Sequence, residues 1–146
     1  MIQWPADVQD PYTLDWKSSA VRWLLKIAPG YDDPRLREQP LLLAHAAWWT
    51  VSGILDGTRH AYRAAPEDLD QWAGRTDIGH LRGLYTRNGT ELRRLLAEVT
   101  AVRAAMLRDA HQKAHREATH QAMKAAKRAP QQWARKAAGR TSAKPE

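Results

Sequence analysis

Two groups of residues in this sequence have types and spacings that can do chemistry. His111 and His115 stand one helical turn apart, a separation at which two imidazoles can share a metal ion, and His120 follows them. The set is not completed. On a continuous helix His120 faces away from the other two, the chain has no cysteine, and no neighbouring carboxylate fills out a tetrahedral shell. The stretch "HREATH" also lacks the His-Glu-x-x-His order that places a general base beside zinc. These side chains read as ordinary surface histidines, so no metal and no cofactor are expected. Asp56 and His60 form the second group, a carboxylate one turn before an imidazole that it can orient as a general base. No nucleophile accompanies them, and they share one polar sector of a helix with His45, Trp49, Ser52, Arg59 and Arg63. Ordinary ion pairing on a solvated face is the expectation there, with neither catalysis nor a small-molecule substrate. An exposed Trp49 in that sector would mark a protein contact surface.

The chemistry that remains is electrostatic. The chain of 146 residues has a formal net charge of +7, and the charge is unevenly placed. Residues 1–106 hold 13 Lys+Arg and 13 Asp+Glu, whereas residues 107–146 hold 10 Lys+Arg against Asp109, Glu117 and Glu146. An acidic partner would therefore meet the C-terminal part: nucleic acid or another polyanion first, an anionic membrane face or an acidic protein otherwise. Lys113, Arg116, His120, Lys124 and Lys127 recur at steps of three and four, which on a helix makes a basic stripe roughly 120° wide. Arg128, Arg135, Lys136 and Arg140 continue the charge beyond it, and Trp133 offers one ring that can stack on a base or enter an apolar groove.

The elements that must position these residues are helical. Alternating β-branched runs are missing, while apolar residues return every three to four positions along most of the chain. The spacing predicts a first helix over 15–28, capped by Thr13 or Asp15 and stopped by "PG", with Ser18, Ser19, Arg22 and Lys26 facing water. A loop, "YDDPRLREQP", follows. A second helix is expected from Pro40 to Ala65, where Pro66 ends it, with a packing seam running from Leu41 through Val51 to Tyr62. Gly53 and Gly57 on its opposite side suggest close approach by another backbone, which would make this helix central. "PEDLDQWAG" reads as a short helix. A stretch from about Asp77 to Met106 forms either one long helix or two broken at "NGT" (88–90), the break being favoured by Gly79, Gly83 and Gly89.

After Met106 the apolar rhythm collapses into alanine: Ala114, Ala118, Ala122, Ala125 and Ala129. Such a helix buries too little area for a core of its own, so it extends into water or docks through that face, with Ala118 and Ala122 at its centre. The expected fold is all-α: a compact bundle of three to five helices over 1–106, a basic alanine-rich helix over 107–129 and a flexible basic tail over 130–146. Its core is expected from Trp16, Trp23, Leu24, Trp48, Val51, Leu55, Leu92, Leu95, Val99 and Val102. The most apolar window, Leu41 to Leu55, is shorter than the roughly 20 residues that span a bilayer, so no membrane span is expected. A cytoplasmic location follows by default from the polar N-terminus and the lack of cysteine.

The stretch 68–87 has the outline of a helix-turn-helix, but Asp70 stands where a small residue should let the helices touch, and Glu67, Asp68 and Asp70 would meet phosphates. Groove reading by this unit is not expected. "DWKSSAVRWLL" (15–25), "AYRAA" (61–65) and "ELRRLLAEV" (91–99) resemble small helical proteins of actinobacteria, a likeness that covers about residues 12–106 and implies no activity, ligand or site residue. Two functions fit the whole pattern. One is a non-catalytic nucleic-acid-associated protein whose C-terminal cations hold phosphates while the body makes protein contacts or dimerises. The other is a structural or adaptor subunit that docks on an assembly partner through Trp49, Ala118, Ala122 and Trp133.

Overall fold

The computed structural model describes the backbone of residues 3–140 and the side chains of residues 3–128. Among the described residues there is no strand: the order is α1 (Trp16–Ile27), a 3₁₀ turn at Pro29–Tyr31, α2 (Pro34–Glu38), α3 (Pro40–Asp68) and α4 (Arg75–Arg140). The chain divides into two units, Met1–Leu107 and Arg108–Glu146. The flexible tail expected over 130–146 falls beyond the described side chains, and residues 141–146 fall beyond the described backbone.

In the first unit, α1 buries Trp16, Ala20, Trp23 and Leu24, the positions that its three-to-four spacing brings to one side. Asp15 stands at the N-cap without a side-chain hydrogen bond, and the Ala28 N–H donates to Leu24 O at 2.9 Å before Pro29 stops the helix. Ser19 is not among the water-facing residues. It is buried, its Oγ accepting from the Gln9 N–H at 2.9 Å and donating to Trp16 O at 2.7 Å. The cause lies upstream of the helix. Trp4 Nε1 donates to Val8 O at 2.9 Å, the Trp4 and Trp16 rings lie 6.1 Å apart, and Val8 enters the core. That segment covers a face of α1 that its own periodicity leaves to solvent.

The expected loop at 31–40 contains α2. Asp33 starts it by accepting the Arg35 N–H at 2.8 Å, while Pro34 has no N–H to satisfy at the first helical position. Arg37 reaches back with both arms of its guanidinium to the Asp32 carboxylate at 2.6 and 2.8 Å. This hydrogen-bonded pairing, aided by Coulomb attraction and opposed by desolvation, holds the Asp32 carboxyl below the usual carboxylate range.

Helix α3 buries Ala44, Val51 and Leu55 of the expected seam together with Leu43 and Ala47 beside it, while Leu41, Trp48, Thr58 and Tyr62 are half-buried. The backbone approach inferred from Gly53 and Gly57 is not found. Both are exposed, and a Cβ at either would meet nothing within 4 Å. Nor does Pro66 end the helix, which runs to Asp68. Pro66 removes the N–H that would bond to the carbonyl one turn before it, yet the helix continues for two more residues and the Leu69 N–H closes the last turn on Ala65 O at 3.1 Å. "PEDLDQWAG" is therefore the end of α3 and a turn rather than a short helix. The Trp72 and Ala73 N–H groups both donate to Leu69 O, at 2.9 and 3.0 Å, and no separate short helix stands before α4 as a helix-turn-helix needs.

Helix α4 passes through "NGT" without a break. Each interior glycine costs about 0.8–1.0 kcal/mol relative to alanine, and apolar burial along the same helix offsets it. Ile78 is buried, Leu92, Leu95 and Leu96 pack against the core, and Val99 and Val102 are fully enclosed. Trp48 joins α3 to α4, its Nε1 donating to Thr100 Oγ1 at 3.1 Å under the Arg103 guanidinium, 5.4 Å from the ring. Glu98 is buried with its Oε1 accepting from Arg94 Nε at 3.2 Å and from Gln3 Nε2 at 3.4 Å. No helix among the described residues is long and apolar enough to cross a membrane.

Candidate nucleic-acid interface

In the second unit α4 is held by intrinsic propensity. From Ala110 to Arg128 its residues are mostly alanine, arginine, lysine, glutamate and glutamine, the best helix formers, and every side chain there is exposed. On this continuous helix Lys113, Arg116, Lys124 and Lys127 fall on one side, with His120 among them and Arg128 at the edge. Successive members are spaced by about 4.5–6 Å along the axis, and the row from Lys113 to Lys127 is about 21 Å long.

Lys113 lies 4.0 Å from Glu117, a pair with both side chains mostly exposed and so of little energetic weight. Arg116, Lys124, Lys127 and Arg128 have no carboxylate partner among the described residues. A row of cations with unneutralised charge and unobstructed access can replace the counterions of a polyanion along its length. Arg135, Lys136, Arg140 and Trp133, placed in the same interface by the sequence, have side chains outside the described residues. Ala118 and Ala122, the expected docking face, are exposed.

No family model, curated protein or solved structure matches this chain. Function therefore rests on what these side chains can do where they stand.

The other candidates sit in the first unit. Trp49 is 60% exposed, its ring edge-on to Trp48 at 5.0 Å and near His45 at 6.4 Å. Leu42 and Ile54 are exposed on the same helix. Asp56 accepts from Arg59 Nη1 at 3.2 Å, so its recorded partner is the arginine and not His60. Among the described residues, no three histidines or carboxylates are grouped to hold a metal ion.

A second concentration of cations was missed by sequence reasoning. Arg59 and Arg63 on α3 face Arg93 on α4 across a groove of about 420 Å³ walled by Tyr62 and Tyr85. Arg82 lies 4.1 Å over the Tyr62 ring. The signal was divided between distant segments: Arg59 and Arg63 are one turn apart, and Arg82 and Arg93 are separated by about three turns, which returns them to one face. Only the register of α3 against α4 unites them.

Proposed function

We propose that this chain is a non-catalytic nucleic-acid-associated protein. It binds the phosphate backbone through Lys113, Arg116, Lys124, Lys127, Arg128, Arg135, Lys136 and Arg140, while its helical body makes protein contacts or dimerises. The observation that supports this reading is the exposed row on α4 in which Arg116, Lys124, Lys127 and Arg128 lack carboxylate partners. Phosphate contacts of this kind position a protein on nucleic acid without reading its sequence.

The test is a salt titration of binding to labelled duplex DNA and single-stranded RNA by fluorescence anisotropy. With all eight cations engaged on duplex DNA, log K falls against log salt with a slope of about −7. Replacing Lys113, Arg116, Lys124, Lys127 and Arg128 together by glutamine should flatten that slope by about 4 to 5 and weaken binding across all sequences alike. Binding that ignores salt, or a substituted protein that binds as tightly as the original, refutes the proposal.

The exposed Trp49, with Leu42 on the same face of α3, supports the second reading, an adaptor subunit. In that case light scattering shows a defined oligomer or partner complex that persists at high salt.

A further inference from the structure

We propose that the groove between α3 and α4 is a binding site for a small phosphorylated aromatic anion, of the size and chemistry of a nucleoside monophosphate. This does not rest on the reading of the basic helix, from which it differs in residues, shape and ligand. The groove lies wholly in the first unit, and its volume of about 420 Å³ matches a ligand of that size.

Its charge is one-sided. Arg59, Arg63 and Arg93 line it, and no carboxylate does. Asp56 pairs with Arg59 from the edge at 3.2 Å, whereas Arg63 and Arg93 have no carboxylate partner among the described residues. Their recorded bonds are to neutral groups: Arg63 Nε donates to Arg59 O at 3.3 Å and Arg93 Nη2 to Thr90 Oγ1 at 3.1 Å. Those bonds leave other guanidinium donors on each side chain for a ligand. Glu91, the nearest acid in sequence on α4, falls on the opposite side of that helix by its spacing from Arg82 and Arg93. All three lining cations are arginine, and a planar guanidinium grips phosphate oxygens in pairs where a lysine acts as a point charge.

The remaining walls suit the rest of such a molecule. Tyr62 and Tyr85 offer aromatic surface for a planar ring, and Thr58 and Thr86 stand beside them with hydroxyl groups. Arg82, stacked on Tyr62, fixes that ring, and its Nε is buried without a hydrogen-bond partner. Gly89 forms part of the lining, is itself buried, and a Cβ there would meet nothing within 4 Å. A glycine in the middle of α4 is unfavourable for the helix, yet here it keeps open the space a ligand would fill.

Calorimetric titration of the full chain with adenosine monophosphate, adenosine and inorganic phosphate tests this. The monophosphate should saturate one site, and adenosine or phosphate alone should bind at least about tenfold more weakly. Gly89→Phe fills the groove while improving helix propensity, and Arg63→Gln with Arg93→Gln removes the charge that no carboxylate matches. Each should weaken the monophosphate by about tenfold or more, with far-UV circular dichroism unchanged. Glutamine at Lys113, Arg116, Lys124, Lys127 and Arg128 should leave that affinity within about twofold, since separate sites are additive. The proposal is overturned if nothing saturates at millimolar ligand, if inorganic phosphate binds as well as the monophosphate, or if the groove variants bind normally. Loss of binding only in the helix variant overturns it too, assigning the anion to the basic row.

Discussion

Replacing Gly53 and Gly57 by alanine separates two views of α3 by the sign of the effect. If another backbone crossed the helix at these positions, each added methyl would collide with it, and overpacking of that kind costs about 1–3 kcal/mol. The structure gives the opposite expectation. Both glycines are exposed, neither has a positive φ, and the space that each Cβ would enter is empty to 4 Å. Only helix propensity and unfolded-state entropy then change, and both favour alanine, by about 0.8–1.0 kcal/mol at each site. For a unit the size of Met1–Leu107, the double substitution should raise the melting temperature by about 6–16 °C.

Tryptophan emission is the better readout for that experiment, because Trp16 and Trp23 are buried in the first unit and report its core. Circular dichroism at 222 nm would add the helical signal of residues beyond Leu107, whose melting need not follow that core. The single variants should each give about half of the combined gain. A fall in melting temperature on either substitution, or a gain that disappears as protein concentration rises, would refute the view of an open face. In the second case a copy of the chain is covering the glycines.

Two further perturbations test the parts of the fold that local sequence signals missed. Ser19→Ala leaves the Gln9 N–H without its acceptor and should destabilise the first unit by about 1–2 kcal/mol in urea unfolding, whereas Ser18→Ala, at an exposed position, should stay within about 0.5 kcal/mol. Arg37→Ala should return the Asp32 carboxyl toward its ordinary titration range, followed by NMR of its side-chain carbon. Because the folded-state value is depressed, the stabilisation from this pair is present above the unfolded carboxylate pKa and is lost as pH falls through the lower folded value; a variant with an unchanged Asp32 titration would refute the pairing.

What was legible in the sequence was whatever a single helix encodes about itself. Trp16, Trp23 and Leu24, or Val51 and Leu55, announce a buried side through spacing alone, and the structure buries them. Ser19 was misread because its partners, Gln9 and the Trp4–Val8 segment, lie outside any periodic pattern and act through tertiary covering. Gly53 and Gly57 misled for a different reason. A small residue marks either close approach or simple tolerance, and one chain offers no way to tell which. The continuity of α4 reflects competition between glycine cost and the burial of Ile78, Val99 and Val102, and burial wins. The arginine groove needed the register of two helices, which periodicity within each cannot supply.

The contrast between the two proposed sites is a contrast in how charge is left unneutralised. In the first unit several cations are matched locally: Lys26 with Asp7, Arg37 with Asp32, Arg59 with Asp56, and Arg94 with Glu98. Arg63 and Arg93 escape that matching, and they do so facing a concave, aromatic-walled space. Arg116, Lys124, Lys127 and Arg128 escape it along a convex, exposed helix surface. A concave site can enclose a small anion and strip water from it, so its affinity depends on fit and comparatively little on salt. A convex row cannot enclose anything. It gathers affinity by summing many screened contacts along a polymer, and that sum collapses as salt rises. If both proposals hold, cations would serve opposite purposes according to the curvature of the surface that presents them, and salt dependence is the observable that tells the two apart.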